Sequence, residues 1–576
     1  MPVRSQQRGL RSTRCELGAE ARDWEGGYCC GVATAVTPPP ISAQRTGEPT
    51  IVEDLPRAPY RHALARLDRA MSATAVLLGC AVVVVGLVAR FLAPNGLWLD
   101  EALSVNIAKL PLTQMPGALV QDGSPPLYYL FLHYWMLLFG QGEFAVRSMS
   151  AVFSVLALPL FWVAGLRAGG RRAAWAALLL CASSPWAIYY SSYARMYSMM
   201  ALEAVLLYLA LLRALEAPTR GRLACMAVLT AACMYTHYWN LYLLGVVAAW
   251  VLWRAVSEAA RQVPAPGHAP GAARKIAWAM LGGGLLFLPW SPVFVFQVLH
   301  TGSPWSAPPS PANLLAVTGY FAGEGDWSQL LALIFFVLVG LAFFARPGAT
   351  ARSVVVELKV QPRTRLLGLL LLGSLVVAVV VGAVTGAAFD ERYIAVVFPA
   401  FVLVCALGLT TFKSRVVTSC ALTVACLAGL FSADQWGSQP RTEAVVVAAV
   451  LNEEAQPGDM VVYCPDQLGP AVDRLLNVPD VTELTFPRML GPQRVDWVNY
   501  VSTIKSTNVQ KFAYTIVQEL NPGARLWFVW RNGYQGLGGS CGMLASWLGW
   551  YLPVSEAAVQ ANRAYYEYED LTVYQN

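Results

Sequence analysis

Long apolar runs recur along the chain, and short polar loops separate them. Eleven runs approach the ~20 residues that cross the hydrocarbon layer as a helix, so they are predicted to span a membrane. They begin near residues 71, 145, 173, 197, 222, 239, 275, 328, 366, 393 and 415. The pattern predicts a polytopic α-helical membrane protein.

The two ends of the chain have different patterns. Residues 1–70 are rich in Arg, Gly, Pro, Ser and Thr and have too few large apolar residues for a core, which predicts a disordered arm. Residues 71–434 hold the predicted spans. Residues 435–576 resemble a soluble α/β domain, with predicted helices at 442–454, 466–476 and 543–550 and predicted strands at 460–464, 525–530 and 571–574.

The loop after the first span, residues 93–144, is predicted to hold two helices that lie in the membrane interface. One is 101–110, and the other is the short aromatic run 126–140. Its aromatic side chains are expected at headgroup depth: Tyr128, Tyr129, Tyr134 and Trp135. If 126–140 crossed the membrane instead, every later loop would change sides.

Composition and charge agree with a membrane protein. The chain is 56% hydrophobic and 13% charged, with a mean hydropathy of +0.48, whereas about a quarter of the residues of a soluble domain are charged. The formal net charge is +6. Because most Lys and Arg residues lie in short loops between apolar runs, they set the topology and do not indicate nucleic-acid binding.

Basic residues accumulate in alternate loops, as they do on the cytoplasmic side of membrane proteins. With 126–140 in the interface, these loops hold Arg167, Arg171, Arg172; Arg213, Arg220, Arg222; Arg254, Arg261, Arg274, Lys275; Arg346, Arg352, Lys359, Arg363, Arg365; and Lys413, Arg415. The other side keeps Lys109, Arg147, Arg195 and Arg392 before the C-terminal region. We therefore expect a cytoplasmic N-terminus, with Asp100 and residues 435–576 outside.

Asp100 and Glu101 form an acidic pair a few residues after the first span. Acidic residues also favour the positive end of a helix dipole, so a plain helix start is an alternative. Adjacent helical positions point about 100° apart, and the two carboxylates need not share a task. One could face a reaction centre while the other orients a partner.

Arg195 and Arg392 lie on the predicted outer side, against the charge bias of the chain. A guanidinium at headgroup depth suits a lipid phosphate, which it binds in a bidentate manner. An ion pair with Asp100 or Glu101 is the alternative for Arg195, and an internal salt bridge within 390–393 is the alternative for Arg392. The neighbouring tyrosines are further candidates for the donor phosphate site: Tyr197 and Tyr393.

Other polar residues of the predicted outer loops are candidates for the acceptor or sugar site: Asp122, Tyr128, His133, Glu324 and Asp326. Asp100, Asp122 and His133 could hold a divalent ion, but no spacing demands one. The sequence has no phosphate-cradling Gly-rich loop. Cys464 and Cys541 in the C-terminal region either form a disulfide or remain two free thiols.

An ordered set of motifs resembles the C-type, membrane-embedded glycosyltransferases, and most closely the protein O-mannosyltransferase and lipid A aminoarabinose-transferase superfamily. The set is the Asp-Glu pair, Pro-Pro-Leu-Tyr-Tyr at 125–129, Phe-Ala-Val-Arg-Ser at 144–148, Tyr-Tyr-Ser-Ser-Tyr-Ala-Arg-Met-Tyr at 189–197 and Glu-Arg-Tyr at 391–393. Ser124 departs from both groups, which have His or an acidic-Lys pair before the prolines.

The resemblance implies a polyprenyl-phosphate sugar donor and an inverting transfer of mannose or an arabinose-type pentose on the outer face of a bacterial plasma membrane. The acceptor would be a glycan, lipid or protein of the cell envelope. By motif, Asp100 matches the aspartate that acts on the acceptor as general base, Glu101 is its helper, and Arg195 and Arg392 stabilise the leaving phosphate. A transporter or flippase of lipid-linked glycans and a non-catalytic envelope-assembly protein are the alternatives.

Overall fold

The computed structural model describes residues 58–94, 96–261, 267–302, 310–350, 353–385, 389–533 and 538–575. Residues 1–57 of the predicted disordered arm lie outside the described residues. Helix α1 begins at Ala58, within the range predicted as a disordered arm.

The first part of the chain is helical. Its helices are α1 Ala58–Ala89, α2 Leu99–Ala108, α3 Met115–Asp122, α4 Leu127–Phe139, α5 Glu143–Ala182, α6 Pro185–Ser191, α7 Tyr197–Glu216, α8 Arg220–Thr236, α9 Asn240–Arg261, α10 Ala272–Leu285, α11 Ser291–His300, α12 Pro311–Ala322, α13 Asp326–Phe344, α14 Arg365–Gly368, α15 Ser374–Thr385, α16 Phe398–Leu409 and α17 Arg415–Gly437. Shorter helical turns join some of them: Leu288–Trp290, Leu369–Gly373 and Glu391–Val397. A small hairpin, β1 Ala345–Pro347 and β2 Val354–Val356, follows α13.

Each of the eleven predicted spans coincides with a helix. Among the described residues, 8 helices are long and apolar enough to cross a membrane. One of them, α5, contains two predicted spans, because the backbone bends at Gly169 and Gly170. The apolar part of α1, Thr74–Ala89, and the 17-residue α8 are shorter helices that account for two more. The chain is a multi-pass membrane protein.

Helix α16 lies at the centre of the bundle. Every residue from Phe398 to Leu409 is buried, and α5 and α13 pack along it. Gly408 allows the close approach of α13, because a Cβ atom there would lie 2.1 Å from the carbonyl oxygen of Leu338. Small residues at such contacts are the usual means by which membrane helices approach closely.

The loop between α1 and α5 contains three helices rather than the predicted two. The predicted helices correspond to α2 and α4, while α3 was not predicted. Tyr128 and Tyr129 are fully buried in the protein, whereas Tyr134 on the same helix is exposed. The depth of these tyrosines in the membrane stays a prediction.

The C-terminal region forms a five-stranded sheet with helices on it. Its elements are α18 Ala444–Glu454, β3 Met460–Cys464, a short turn of helix Asp466–Leu468, α19 Gly469–Asp473, β4 Thr482–Thr485, α20 Tyr500–Ser506, α21 Val509–Gln518, β5 Leu526–Trp530, α22 Ser540–Tyr551, β6 Val554–Val559 and β7 Asp570–Gln575. The strand order is β4-β3-β5-β7-β6. Strand β3 is parallel to β4 and β5, and β7 is antiparallel to β5 and β6.

The sheet is anchored to the helical part of the chain by backbone hydrogen bonds. The amide of Trp497 donates to the carbonyl of Gln121 at 3.1 Å, and the amide of Asn499 donates to the carbonyl of His300 at 2.8 Å. Within the sheet, Cys464 at the end of β3 forms a disulfide with Cys541 in α22. The ends of β3 and β5 are thereby fixed next to the start of α2.

Candidate active site

Glu101 is the centre of a buried ion-pair network. Its carboxylate accepts hydrogen bonds from Arg147 Nη2 at 2.6 Å and Arg147 Nε at 2.8 Å, and from the amide of Ala194 at 3.0 Å. Arg441 Nη1 lies 3.7 Å away. Burial alone would raise the pKa of Glu101, but these two arginines and the hydrogen bonds bring the pKa below its ordinary value.

Glu101 therefore has a structural position and no access to a substrate. Its side chain is fully buried, and Arg147 also donates to the carbonyls of Pro94 and Gly96, each at 2.7 Å. The pair ties α5 to the loop that precedes α2. Both oxygens of Glu101 face arginines, and its role as helper of Asp100 stays a prediction.

Asp100 points the other way and pairs with Arg392. Arg392 Nη1 lies 2.7 Å from Asp100 Oδ2, and its Nη2 lies 3.0 Å from Asp390 Oδ2. The guanidinium is stacked between the rings of Trp98 and Tyr393, each 5.7 Å from the guanidinium carbon. Arg392 thus has two carboxylate partners, whereas Asp100 depends on arginines from outside its own helix.

Arg195 is the second arginine beside Asp100. Its Nε lies 3.9 Å from Asp100 Oδ2, and its Nη1 donates to Ser104 Oγ at 3.2 Å and to the hydroxyl of Tyr129 at 3.0 Å. The structure therefore brings together three residues predicted separately from the sequence. The structure shows the ion pairs given as alternatives to phosphate binding. Arg195 pairs with Asp100, and Arg392 pairs with Asp390.

Both arginines keep an unused donor. Arg195 Nε and Arg392 Nε are buried and have no hydrogen-bond partner among the described residues. Leaving a buried donor unpaired costs about 1–3 kcal/mol, and such groups call for an explanation. These two unpaired guanidinium donors lie beside one carboxylate and can donate hydrogen bonds to an oxyanion such as a phosphate.

A cavity of about 330 Å³ opens beside Asp100. The helical part of the chain contributes Trp98, Leu99, Asp100 and Arg392 to it, and the C-terminal region supplies the opposite wall. Asp100 is 9% exposed and Glu101 0%, so only the first of the two adjacent carboxylates reaches this space. The predicted division of the pair between two tasks corresponds to this difference in access.

The two tyrosines proposed for the phosphate site, Tyr197 and Tyr393, do not line the cavity. Tyr393 lies under the Arg392 guanidinium and contacts His237, whose ring centroid is 5.2 Å away. Tyr197 is buried, with its ring 5.2 Å from that of Tyr190. These rings form an aromatic packing layer around the arginines.

The remaining candidates have other partners or positions. Asp122 accepts a hydrogen bond from the hydroxyl of Tyr129 at 2.7 Å, His133 Nδ1 lies 2.7 Å from the carbonyl of Ala108, and the hydroxyl of Tyr128 lies 3.2 Å from Ser150 Oγ. Glu324 lies in the exposed turn before α13, and Asp326 is the exposed first residue of that helix; neither residue lines the cavity.

The three residues that could hold a divalent ion, Asp100, Asp122 and His133, do not form a metal-binding group. Within the described part of the chain, no group of three or more His, Cys, Asp or Glu side chains is placed to hold a metal ion. Asp122 reaches Asp100 only indirectly, through the hydrogen-bonded chain of Tyr129 and Arg195. The site consists of carboxylates, guanidinium groups and hydroxyls.

Residues that the sequence reasoning did not assign complete the site. Arg147 was counted only as a basic residue of the outer side, and Arg441 was not singled out. Arg441 is 1% exposed and donates to the carbonyl and hydroxyl of Ser192, each at 2.7 Å. A signal for Arg147 existed, because it sits within an apolar run, where an arginine requires a carboxylate partner.

Glu567 connects the C-terminal region to the start of α2. Its Oε2 accepts a hydrogen bond from the amide of Leu99 at 3.4 Å, one residue before Asp100. Burial is the main reason that the pKa of Glu567 rises to about 8, with a further contribution from the charges of Asp100 and Glu101. The side chain is therefore mostly protonated at neutral pH.

The chain is similar to known proteins. The family described as dolichyl-phosphate-mannose-protein mannosyltransferase matches residues 123–265. The crystal structure of ArnT from Cupriavidus metallidurans in the apo state is similar, with a TM-score of 0.54 and 14% identity over 87% of this chain and 98% of that chain. Its complex with undecaprenyl phosphate has a TM-score of 0.51 and 13% identity over 88% and 98%. Curated protein sequences gave no match.

These findings confirm the resemblance predicted from the ordered motifs. The chain has the fold of the C-type membrane glycosyltransferases. It covers nearly the whole length of the similar structure, so the C-terminal region is included in the shared architecture.

Replacing Glu101 tests the ion-pair network. Glu101→Gln removes the charge that faces Arg147 and Arg441, and breaking a buried pair in this way costs about 3–5 kcal/mol. We expect a clearly lower unfolding temperature in detergent micelles. Asp100→Asn is the matched variant. Its unfolding temperature is expected to fall less, because Arg392 keeps Asp390 as a partner. Equal unfolding temperatures of the two variants would show that Glu101 does not anchor the fold.

The raised pKa of Glu567 predicts a pH dependence of stability. Because the pKa in the folded state is above the ordinary value of 4.5, its contribution is fully present below pH 4.5 and is lost as the pH rises through about 8. We expect the unfolding temperature to fall between pH 6 and pH 9, and to fall less in Glu567→Gln. Burial also raises the pKa of Asp466 to about 7. Asp466 therefore keeps part of the pH dependence of the unfolding temperature in Glu567→Gln.

Glu556→Gln is the control for this measurement, because Glu556 is exposed on β6. The unfolding temperature of Glu556→Gln should fall with pH as steeply as that of the unmodified chain. If the unfolding temperature of Glu567→Gln falls with pH as steeply as that of Glu556→Gln, Glu567 is ionised in the folded protein.

Proposed function

We propose that this chain, which has the C-type membrane glycosyltransferase fold, transfers a sugar from a polyprenyl-phosphate donor to a hydroxyl group of a cell-envelope acceptor. The sugar is mannose or an arabinose-type pentose. The reaction takes place on the outer face of a bacterial plasma membrane, with the N-terminus in the cytoplasm. The charge asymmetry of the loops supports this topology, since basic residues accumulate on the cytoplasmic side.

One observation carries the proposal: Arg195 and Arg392 both lie beside Asp100, Asp100 and Arg392 line one cavity, and the Nε atoms of both arginines have no partner among the described residues. Arginine binds phosphate oxygens through charge-assisted hydrogen bonds in a planar, bidentate geometry. A lipid phosphate would satisfy both orphaned donors. The carboxylate beside them can serve the acceptor.

Donor binding and activation of Asp100 are linked through Arg392. Arg392 Nη1 donates a hydrogen bond to Asp100 Oδ2 at 2.7 Å. A bound phosphate competes with Asp100 for this guanidinium, while Asp390 on the other side holds the arginine in place. The exchange leaves the Asp100 carboxylate free to accept a proton.

The chemical step is then a single displacement with inversion at the anomeric carbon. The acceptor oxygen attacks this carbon while Asp100 takes the acceptor proton, and the bond from the carbon to the lipid phosphate oxygen breaks. General-base assistance of this kind is typically worth ~10²–10⁴-fold. Arg195 and Arg392 stabilise the charge that develops on the leaving phosphate.

Glu203, an acidic residue within the predicted span that begins near residue 197, does not favour a transport pathway. Charged residues along such a pathway face a water-filled route at mid-membrane depth. Glu203 is buried, and it accepts hydrogen bonds from Thr236 Oγ1 at 2.7 Å and Asn240 Nδ2 at 3.3 Å. These bonds give it a structural role between α7, α8 and α9.

Substitution of Asp100 tests the mechanism. We expect Asp100→Asn, reconstituted in proteoliposomes with polyprenyl-phosphate mannose or arabinose, to lower the rate of sugar transfer at least ~10²-fold, because the amide cannot act as a base. Binding of undecaprenyl phosphate should be kept. Transfer is followed by the appearance of undecaprenyl phosphate, and near-normal activity of this variant would refute the role of Asp100.

Arg195→Lys separates phosphate binding from base catalysis. Lysine keeps the positive charge but loses the planar donor set, so this variant should bind undecaprenyl phosphate more weakly and raise the donor KM. Arg346→Lys, at the exposed hairpin β1–β2, is the control and should behave like the unmodified chain. Unchanged donor affinity in Arg195→Lys would remove Arg195 from the phosphate site.

A further inference from the structure

We propose that the wall of the cavity supplied by the C-terminal region is the acceptor site, and that it binds the uncharged, polyhydroxylated end of a glycan. This proposal rests on the proposed function, because it takes Asp100 as the group that accepts the acceptor proton. The wall includes Gln467, Trp497, Arg531, Asn532 and Tyr568.

The wall is positioned to present a hydroxyl to Asp100. It lines the same cavity as the Asp100 carboxylate and the Arg392 guanidinium. At about 330 Å³, the cavity is near the lower end of the ~300–1,000 Å³ typical of ligand pockets. It therefore fits the end of a glycan chain and leaves the remainder of the ligand outside.

Two residues that line the cavity, Trp98 and Arg531, each carry an unused side-chain donor. Trp98 Nε1 and Arg531 Nε are buried and have no hydrogen-bond partner among the described residues. Trp98 belongs to the helical part of the chain and Arg531 follows β5, so the donors come from the two sides of the cavity. A ligand with several hydroxyl oxygens can reach both, since each hydroxyl accepts as well as donates.

The other side chains of the wall suit a sugar ring. Gln467 and Asn532 carry amides, which donate and accept hydrogen bonds in the same plane. Trp497 and Tyr568 offer aromatic surface to the apolar C–H face of a sugar, while their polar atoms remain at the ring edge. Aromatic and amide groups together match a ligand that is polar at its rim and apolar on its faces.

The charge balance of the cavity favours a neutral ligand. Arg531 is paired with Asp570, with Nη1 to Oδ2 at 3.2 Å, and Arg392 is paired with Asp100 and Asp390. Burial raises the pKa of Glu567, on the same wall, to about 8, so it adds little charge at neutral pH. The anionic donor phosphate uses Arg195 and Arg392, and a second anion would have to displace Asp570 from Arg531.

The wall is held rigidly before any ligand binds. The amide of Arg531 donates to the carbonyl of Cys464 at 3.0 Å, and Cys464 is joined to Cys541 by the disulfide. The amide of Gly542, next to Cys541, donates to Asn532 Oδ1 at 2.8 Å. The disulfide thus fixes the two segments that present Arg531 and Asn532, and such preorganisation favours ligand binding.

Saturation-transfer NMR on the full-length protein in lipid nanodiscs tests the proposal without any donor present. The probes are mannotetraose and arabinotetraose as neutral glycans, tetragalacturonate as an anionic glycan, and a Ser/Thr-rich peptide. We expect a neutral glycan to bind and the anionic glycan and peptide not to bind. Arg531→Lys keeps the charge opposite Asp570 but loses the Nε donor, so it should weaken binding up to ~tenfold.

Two further variants complete the experiment. Arg563→Lys, at an exposed position of the same region, is the matched control and should bind like the unmodified chain. Tyr568→Leu should weaken binding through loss of aromatic surface, and it provides a second reading if Arg531→Lys unfolds at a lower temperature than the control. Undecaprenyl phosphate affinity should remain the same in all three variants.

Failure of this proposal can be told apart from failure of the proposed function. Absence of neutral-glycan binding, preference for the anionic glycan or the peptide, or equal binding by all variants would overturn the acceptor site and leave the donor reaction intact. Neutral-glycan binding that depends on Arg531, without sugar transfer from any polyprenyl-phosphate donor, would support the site and overturn the reaction.

Discussion

Two adjacent carboxylates at the start of α2 must each be neutralised by arginines from distant parts of the chain. A charge withdrawn from water is costly unless it is paired and hydrogen-bonded. Glu101 meets this requirement through Arg147 and Arg441, and Asp100 through Arg392, which is 292 positions away in the sequence. Burial of the acidic pair therefore fixes α5, the start of the C-terminal region and the 390–392 turn around one point.

The same interaction has different consequences for the two residues. Glu101 is fully buried, and its two oxygens accept hydrogen bonds from Arg147 and from the amide of Ala194. Asp100 faces a cavity, and its main partner has a second carboxylate, Asp390, to hold it. The ion pairs of Glu101 only stabilise the fold. At Asp100, a phosphate can replace the carboxylate as the partner of Arg392.

The helices and the outline of the C-terminal sheet were predictable, because they depend on local periodicity. The apolar runs mark the spans, and β3 was predicted with its observed bounds at Met460–Cys464. The exposed strands β4 and β6 and the amphipathic α21 lack a buried apolar run and were missed. The burial of Tyr128 and Tyr129 could not be predicted, because an aromatic residue near a span suits both a lipid headgroup layer and a protein core.

The site was predictable only in part. Asp100, Arg195 and Arg392 stand out as charges beside apolar runs, but which carboxylate pairs with which arginine depends on contacts across hundreds of residues. The domain boundaries near residues 70 and 435 stay predictions. The wall that faces Asp100 comes from loops of the C-terminal region, where polar residues such as Arg531 and Asn532 have no pattern that separates them from other surface positions.

A structure of the full chain with bound undecaprenyl phosphate tests the central claim most directly. The account predicts that the phosphate oxygens lie within hydrogen-bond distance of Arg195 Nε and Arg392 Nε, and that the distance from Arg392 Nη1 to Asp100 Oδ2 increases beyond its present 2.7 Å. Glu101 should keep its contacts with Arg147. A phosphate bound elsewhere, with the pair of Asp100 and Arg392 unchanged, would contradict the account.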